Sequence, residues 1–550
     1  VWLYDSENGK HTNLTAHAGE DRNPVFAPDG QTVYFLSERD GSTFNVYSFP
    51  ISSPQSLKTV THFKTHPVRF LSMGSNGTLC YTYDGEIYTQ KQGDKPQKVK
   101  IDIIRDDQNT IADLNFSNGA TSATVSPDGK QVAFIVRGEV FVTSADYNTT
   151  KQITHTPARE AGLTFSPDNR TLAYASERNG NWELYMAKIA RKEEANFPNA
   201  TAIEEEVLLP SDKTERTYPQ FSPDGKELAF IEDRNRLMVL NLETKKVRQV
   251  TDGSTWFSTG GGFDYSWSPD GKWFTLEFIG NRHDPYSDIG MVSAQGGKII
   301  NLTNSGYTSG SPRWVLDGNA ILFITERYGM RAHASWGSLN DVMLVFMNQD
   351  AYDKFRLSKE DYELQKELEK EQKDTTETKK NDKKKGDNKE KSEEKKEEKV
   401  KDIVVELNNI EDRIVRLTPN SSDLGSAIIT KDGETLYYLS AFEGGYDLWK
   451  MNLRKKDTKL LHKMDAGWAN MEMDKDGKNL FLLGSNTMQK MGTDSESLKP
   501  ISYQAHVKMD LAAERDYMFN HVYKQEQKRF YNLNMHGIDW DAMTKAYRKF

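Results

Sequence analysis

The stretch SNGATSATVSPDGKQVAFIVRGEVFVTSADYNTTKQITHT, residues 117–156, is the unit that the rest of this chain repeats. It contains four short runs of β-branched and aromatic residues, each bounded by turn residues, and this is the pattern of β-strands. The first two runs are separated by Ser126-Pro127-Asp128-Gly129. Proline presets φ at the first corner of a turn, and glycine accepts the positive φ that closes a hairpin. The stretch therefore predicts a four-stranded antiparallel sheet of about forty residues.

The same turn recurs along the chain, which indicates an internal repeat. Strong copies contain Asp29, Asp128, Asp168, Asp224 and Asp270, and weaker copies contain Asn76, Asp317, Asp432 and Asp476. Most spacings lie between 40 and 56 residues, and the exception is the 115 residues from Asp317 to Asp432. A single sheet cannot bury its own faces, so the copies must pack against each other. Four strands per repeat at this period are typical of β-propeller blades, whereas a helical solenoid would show a 3.6-residue period.

The distribution of the turns predicts an all-β tandem β-propeller followed by the start of a helical domain. We assign residues 1–108 to the C-terminal blades of a first, truncated propeller and residues 112–507, which hold seven turns, to a complete seven-bladed propeller. Residues 508–550 are predicted to begin the helical domain. There Asp510 and Asp539 are the predicted N-caps of two helices, the second of which starts at Trp540. Because the chain begins within a blade and stops inside a helical pattern, we expect a fragment of a longer protein.

The long gap between turns is predicted to be a charged, disordered insertion at 352–402 within one blade. A helical pattern covers residues 351–371, and residues 379–400 consist almost wholly of Lys, Glu, Asp and Asn. Such a composition cannot bury enough apolar surface to offset the entropy lost on ordering. We interpret the tract as a solvated loop at the rim of the blade, and a charged docking tether is the alternative.

Composition excludes several classes of function. A net charge of −9 over 550 residues, with no basic face outside the charged tract, argues against a nucleic-acid partner. No run of eighteen apolar residues occurs, so no membrane span is predicted. No H-E-x-x-H motif and no Cys/His pair at ligand spacing occur, so no metal and no cofactor are predicted. The turn aspartates, one per hairpin, lack the clustered oxygens of a calcium site and are expected to cap backbone groups.

One irregular stretch, residues 327–338, is the candidate binding site. It joins two predicted strands where three residues would suffice, and loops on a rigid scaffold often carry binding function. Its candidate substrate-binding residues are Arg327, Arg331, His333 and Trp336. Arginine can hold a peptide carboxylate bidentately, and tryptophan offers an apolar surface. Packing against a neighbouring domain is the alternative interpretation of this loop.

The segment after the repeats resembles part of a known family. It reads FYNLNMHGIDWD, residues 530–541, and comes after seven predicted blades. Together with Glu326-Arg327-Tyr328-Gly329-Met330-Arg331 and the charged insertion in the same blade, it resembles the tricorn-like proteases, serine peptidases of the tail-specific class with tandem N-terminal propellers. The blade turns alone are also found in TolB-like and prolyl-oligopeptidase-like propellers. The resemblance covers residues 1–550.

The resemblance implies a six-bladed first propeller, and PDZ-like and catalytic domains after the helical domain. In that family the catalytic histidine and serine lie further along than Phe550, so no catalytic residue is assigned and we expect this fragment to be inactive alone. The implied function is to filter peptides or unfolded protein segments toward the catalytic domain. A homo-oligomer and a bacterial, periplasmic or exported location are further implications, with the cytoplasm as the alternative.

Two other functions stay open. A TolB-like propeller would bind proteins or peptides without any enzyme, and the helical pattern that begins at Leu511 argues against it. A prolyl-oligopeptidase-like hydrolase would carry G-x-S-x-G in a further domain, and that motif does not occur in these 550 residues.

Deleting residues 379–400 should leave the melting temperature within about 3 °C of the wild-type value, because closure entropy changes slowly with loop length. Thermal unfolding of the two chains, monitored by circular dichroism, measures the difference. A large drop in melting temperature would show that the tract docks on the folded protein.

Overall fold

Antiparallel four-stranded sheets dominate the computed structural model, which describes residues 1–41, 43–102, 110–256, 261–280, 286–331, 338–368 and 401–549. Nine such sheets form within these residues, and in each the strands are arranged in chain order. The chain divides into two compact units. One contains residues 1–108 and 537–550, and the other contains residues 109–536.

The first unit holds one strand pair and two four-stranded sheets. The pair is β1 (Trp2–Tyr4) and β2 (His11–Asn13); the sheets are β3 (Asp21–Phe26), β4 (Thr32–Ser37), β5 (Asn45–Pro50) and β6 (Lys58–Thr59), then β7 (Arg69–Met73), β8 (Leu79–Tyr83), β9 (Glu86–Gln90) and β10 (Gln97–Lys98).

The second unit holds seven four-stranded sheets, numbered here as blades 1 to 7, and one further strand pair. The chain enters through β11 (Ile111–Phe116). Blade 1 is β12 (Ser122–Val125), β13 (Gln131–Val136), β14 (Glu139–Ser144) and β15 (Thr150–Gln152); blade 2 is β16 (Glu160–Phe165), β17 (Thr171–Ser176), β18 (Glu183–Ile189) and β19 (Ile203–Val207). Blade 3 is β20 (Arg216–Phe221), β21 (Glu227–Glu232), β22 (Arg236–Asn241) and β23 (Val247–Gln249); blade 4 is β24 (Tyr265–Trp267), β25 (Trp273–Phe278), β26 (Asp288–Ser293) and β27 (Ile300–Asn301).

The remaining blades have the same pattern. Blade 5 is β28 (Ser309–Val315), β29 (Ala320–Thr325), β30 (Asp341–Phe346) and β31 (Ile414–Arg416); blade 6 is β32 (Asp423–Ile429), β33 (Thr435–Ala441), β34 (Tyr446–Asn452) and β35 (Asp457–Ala466). Blade 7 is β36 (Ala469–Met473), β37 (Asn479–Gly484), β38 (Met488–Gly492) and β39 (Leu498–Pro500), and β40 (Ala505–Asp510) comes after it.

The seven blades form a closed ring. Every pair of consecutive blades shares an apolar cluster, and blade 7 shares one with blade 1, in which Phe134 and Phe481 are both fully buried. No strand is exchanged between the first and last blades within the described residues. Instead β11 pairs with β40, from Ile111 opposite Asp510 to Phe116 opposite Ala505. The predicted seven-bladed propeller is confirmed.

The Ser-Pro-Asp-Gly turns form a repeated hydrogen-bond network. In blade 3 the Ser222 hydroxyl donates to the Asp224 carboxylate (2.6 Å) and accepts the N–H of Glu227 (3.0 Å). The same carboxylate accepts the N–H of Lys226 (3.1 Å). Equivalent networks form at Asp128, Asp168, Asp270 and Asp432. The expected capping role of the turn aspartates is confirmed.

The insertion of blade 5 begins with helices. Helix α1 (Gln349–Arg356) starts at Asn348, whose side chain accepts the N–H of Ala351, and residues 359–368 form helix α2. The helical pattern predicted over 351–371 is confirmed as far as residue 368. The predicted disorder over 352–402 is therefore wrong for its first part, because Tyr352 and Phe355 of α1 pack on the apolar cluster between blades 5 and 6. Residues 369–400, including the tract at 379–400, lie outside the described residues.

Two helices come after the ring. Helix α3 (Leu511–Arg529) is capped by Asp510, which accepts the N–H groups of Ala512 and Ala513, and α4 (Trp540–Tyr547) is capped by Asp539. Both predicted caps are confirmed. The helical segment 508–550 is divided, because residues 537–550 group with 1–108, where Lys549 Nζ lies 3.3 Å from Glu86 Oε1. Within the described residues no helix is both long and apolar enough to cross a membrane.

Replacing Asp224 by alanine should lower the free energy of unfolding by about 1 kcal/mol, because the Ser222 hydroxyl and the Lys226 N–H both lose their acceptor. Urea denaturation measures the change. Asp224→Asn is the matched control, since its amide oxygen still accepts both hydrogen bonds, and it should retain most of the stability. Equal destabilisation by the two variants would contradict this role.

Candidate functional site

One face of the seven-bladed ring collects the features that bear on function. Because the strands are antiparallel, the turns between second and third strands all lie on the same face, with the connections between blades. The candidate loop joins β29 to β30 and is therefore part of this face. Helix α3 lies across it at blades 1 to 3, because it contacts the corresponding turns of all three blades. We call this surface the loop face.

Helix α3 is held on the loop face by polar contacts. The Glu514 carboxylate lies 2.7 Å from Arg137, and Arg234 donates to Gln525 (3.0 Å). Between these contacts the buried carboxylate of Glu177 accepts the Tyr517 hydroxyl (2.8 Å) and lies 2.5 Å from Nδ1 of His521. No described residue of α3 is itself fully buried.

The structure places two of the four candidate residues predicted in the loop. The guanidinium of Arg327 lies 5.5 Å from the centre of the Tyr328 ring, and that of Arg331 lies 5.4 Å from the Tyr307 ring, both within cation–π range. Arg331 also pairs with Ser338 in an isolated β-bridge that closes the base of the loop. The structure thus brings Arg327 and Arg331 to the loop face of blade 5. His333 and Trp336 lie outside the described residues.

The first strands form the inner wall of the ring. First strands of neighbouring blades contact one another, for example β16 with β20 and β32 with β36, so they surround the central channel. The residue four positions before each turn aspartate lies on this wall. In blades 1 to 7 that residue is Thr124, Thr164, Gln220, Ser266, Arg313, Ile428 and Glu472. The inner wall is therefore polar at this level in six of the seven blades.

The two charged residues of this set each form hydrogen bonds with another blade. Arg313 of blade 5 donates to the carbonyl oxygen of Met471 (2.8 Å) and to Oδ1 of Asn470 (2.7 Å), both in blade 7. Blades 5 and 7 are not neighbours, so this side chain passes in front of β32 on the channel side. Glu472 accepts the N–H of Val125 (2.9 Å). Burial raises the pKa of Glu472, whereas this hydrogen bond and the positive charge of Arg313 lower it in part.

A second polar group lies at the start of the first strands of blades 4 and 5. The half-buried Glu277 accepts the N–H of Ser311 (2.7 Å), whose hydroxyl donates to Asp264 (3.2 Å). Burial raises the pKa of Glu277 to about 7, and the negative charge of Asp264 adds to the rise. Tyr218, half exposed, packs against Gly262, two residues before Asp264: a Cβ at Gly262 would lie 2.7 Å from its ring. The glycine therefore leaves room for the ring.

Among the described residues, no serine, threonine or cysteine side chain is hydrogen-bonded to a histidine ring, and such a pair is what nucleophilic catalysis needs. In the same part of the chain, no group of three or more His, Cys, Asp or Glu side chains could hold a metal ion. The polar inner wall offers both hydrogen-bond donors and acceptors, and the arginines of the loop face offer donors.

Comparison with known proteins places the chain in a family. A family model described as the tricorn protease second β-propeller domain matches residues 120–490, and a model of the tricorn protease C1 domain matches residues 511–550. The chain belongs to the tricorn protease family. The crystal structure of the tricorn protease superposes with a TM-score of 0.67 at 14% identity, covering 100% of this chain and 50% of that one. The tandem-propeller fold and the family resemblance seen in the sequence are confirmed.

Curated relatives of this tricorn-family chain match parts of it. "Tricorn protease homolog 1" of Streptomyces coelicolor is 22% identical over 60% of the chain and 30% of its own length. The "Putative Tricorn-like protease C-terminal subunit" of Sulfurisphaera tokodaii is 23% identical over 54% of the chain and 32% of its own length. TolB of Francisella tularensis is 25% identical over 36% of the chain and 45% of its own length. The chain spans less than half of the length of each of these relatives.

The channel residues were not found by sequence reasoning, although a signal was present. Arg313 and Glu472 both stand four positions before a turn aspartate, on strands that the repeat had already placed. Aligned on that aspartate, the seven repeats show two charged residues at a position where the other five are uncharged. The pair Asp264 and Glu277 had no such signal. Asp264 precedes β24, Glu277 lies on β25, and Ser311, which joins them, lies in the next blade.

The raised pKa of Glu277 predicts a pH dependence of stability. The free carboxyl titrates near 4.5 and the folded one near 7, so its contribution to stability is complete below pH 4.5 and is lost as the pH rises through 7. Glu277→Gln keeps the acceptor for Ser311 but cannot ionise, so its melting temperature should rise relative to wild type between pH 5 and pH 8.

Scanning calorimetry at several pH values tests this prediction. Asp264→Asn is a matched variant, because removing the neighbouring charge lowers the pKa of Glu277. As the pH rises, this variant should therefore lose less stability than wild type, but it should still lose some. Parallel pH profiles for wild type and Glu277→Gln would contradict a raised pKa at this position.

Proposed function

We propose that this chain is the propeller region of a serine-type peptidase and that it guides peptides or unfolded protein segments through its central channel toward a downstream catalytic domain. The observation that carries the proposal is the polar inner wall of the ring. Six of its seven aligned side chains can form hydrogen bonds, and an extended peptide offers backbone donors and acceptors whatever its sequence. Because such a wall can bond to the backbone of any peptide, it would admit peptides of many sequences and would not select for one side chain.

The loop face is the proposed entrance or exit of this path. Arg327 and Arg331 lie on this face, and His333 and Trp336 are assigned to it from the sequence. The guanidinium group of an arginine can hold a peptide carboxylate through two parallel hydrogen bonds. Helix α3 lies on the same face and begins the segment that matches the C1 domain of the family. A domain that comes after α3 in the polypeptide would therefore be held near this end of the channel.

The partners that we propose are peptides or unfolded segments, PDZ-like and catalytic domains downstream, and further copies of the chain in a homo-oligomer. Nucleophile, general base and oxyanion hole would all belong to the catalytic domain. We propose export to the periplasm, with the cytoplasm as the alternative, and cell fractionation of the source bacterium distinguishes the two.

A second candidate is a propeller that binds proteins without any enzyme. The similarity to TolB of Francisella tularensis favours it, but that similarity covers only 36% of the chain. The two candidates differ in the domain that comes after the ring, and the match of residues 511–550 to the C1 domain favours the peptidase.

The 550-residue chain should show no turnover of fluorogenic peptides but should bind unstructured peptides, as measured by calorimetry. Arg331→Ala and Trp336→Ala should each weaken binding about tenfold if the loop contacts the peptide, which corresponds to about 1.4 kcal/mol.

Arg191→Ala is the control for the loop variants. Arg191 comes after the third strand of blade 2, is largely exposed, and lies on the opposite face of the ring, so its loss should leave peptide affinity unchanged. Turnover that survives stringent purification would contradict the assignment of catalysis to a downstream domain. Unchanged affinity in both loop variants would show that the loop does not bind the peptide and has only a packing role.

A further inference from the structure

The side chain of Arg313 crosses from blade 5 to blade 7 at the middle of the strands. Arg313 lies on β28, and its guanidinium donates to the carbonyl oxygen of Met471 (2.8 Å) and to Oδ1 of Asn470 (2.7 Å), both on β36. Blade 6 stands between these two strands. Its residue at this level is Ser426, whose hydroxyl accepts the N–H of Met471 (3.2 Å). Ser426 is the central residue of β32, so the guanidinium passes this strand at its middle and not beyond an end.

Only the channel side of β32 offers a route for this side chain. The outer edge of β32 is paired with β33, from Asp423 opposite Ala441 to Ile429 opposite Leu436. Both faces of blade 6 are packed, one in the apolar cluster with blade 5 and the other in the cluster with blade 7. The guanidinium of Arg313 therefore lies at the inner edge of β32, in the central channel. Arg313 is half-buried, so part of its side chain is open to the water in the channel.

The positive charge of Arg313 is not paired with a carboxylate by direct contact. Both of its hydrogen-bond acceptors on β36 are neutral, and no ion pair within the described residues includes it. Glu472, on the same strand as these acceptors, binds the hydroxyl of Thr124 (3.0 Å) and the N–H of Val125 in blade 1 instead. A guanidinium has five N–H donors, so the two bonds to blade 7 leave donors for a ligand.

Arg313 is the only cation among the seven aligned residues of the inner wall. Two carboxylates, those of Asp264 and Glu277, bind Ser311, which comes two residues earlier on β28 and nearer to the loop face. The positive charge of the wall is therefore confined to the level of Arg313. Low-dielectric walls around a channel focus the field lines of such a charge and raise its effect on an ion inside.

We propose that Arg313 selects, among the peptides that pass through the channel, those that carry an acidic side chain. The inference rests on the passage of peptides proposed above and names the chemistry that this passage would favour. A carboxylate accepts parallel, charge-assisted hydrogen bonds from a guanidinium, whereas the amide of Gln or Asn brings no charge. The two bonds to blade 7 already hold the guanidinium in place, so little rotamer entropy is lost when a carboxylate binds.

The expected ligand is a side-chain carboxylate and not the carboxylate at the end of the peptide. Arg313 lies inside the channel, at mid-strand, so every side chain of an extended peptide passes it in turn. The C-terminal carboxylate offers the same chemistry but passes only once. Peptides with an amidated C-terminus separate the two sources.

Calorimetry with two blocked peptides tests the proposal. Both are N-acetylated and C-amidated Gly-Ser dodecapeptides, with two central Glu residues in one and two central Gln residues in the other. The Glu peptide should bind the 550-residue chain about tenfold more tightly at low ionic strength, because hydrogen bonds to a charged group are stronger than neutral ones. The difference should shrink as salt is added, since ions screen the charge. A Gln peptide with a free C-terminus measures the contribution of that carboxylate.

Substitutions at Arg313 make the result specific to this residue. Arg313→Gln removes the charge and should bind the Glu and Gln peptides equally. Arg313→Lys keeps the charge and should retain part of the preference, which a role in bracing the blades would not predict. Arg191→Ala, on the opposite face of the ring, is the control and should keep the full preference. Circular dichroism confirms that each variant folds.

The inference is overturned if wild type binds the two blocked peptides equally, or if Arg313→Gln keeps the preference for the Glu peptide. It is also overturned if only the free C-terminus gains affinity through Arg313, because the residue would then recognise the end of the peptide. If none of the peptides binds wild type, the proposed passage of peptides fails, and this inference fails with it. Binding of both blocked peptides without discrimination contradicts the role of Arg313 alone.

Discussion

Closure of the ring is the constraint on which the second unit depends. Each blade has two apolar faces, and only a neighbour on each side can remove both from water. Blades 1 and 7, which are more than 340 residues apart along the chain, must therefore meet. They do so through an apolar cluster, through Glu472 and the backbone of Val125, and through the pairing of β11 with β40 just outside the ring.

Closure also gives two consecutive positions of every repeat opposite environments. Three residues before the turn aspartate the chain places Val125, Phe165, Phe221, Trp267, Trp314, Ile429 or Met473, and each packs in the seam with the preceding blade. One position earlier the side chain is half-buried and turns toward the following blade, as Gln220 does when it donates to the carbonyl oxygen of Tyr265. The first strands of six of the seven blades therefore carry a polar side chain at the same level beside the channel.

Much of the fold could be predicted from local patterns. The turn serine and aspartate bond to backbone groups no more than five residues away, and Asp510 and Asp539 cap backbone N–H groups two or three residues away. Short-range chemistry is therefore enough to predict both the turns and the helix caps. The predicted disorder at 352–402 went wrong over its first part because composition does not show that Tyr352 and Phe355 have an apolar cluster to pack on. Of the candidate loop, Arg327 and Arg331 are placed on the loop face, and the role assigned to them remains a prediction.

Local patterns were enough to predict the repeat, the number of blades and the family, because each blade carries its own turn chemistry and its own alternation of apolar residues. They could not predict which side chains meet across the ring: Arg313 with Asn470, Glu277 with Ser311, and α3 with three successive turns. The cause is separation along the chain. These contacts join residues from tens to hundreds of positions apart, and their geometry exists only after closure has fixed the angle of every blade.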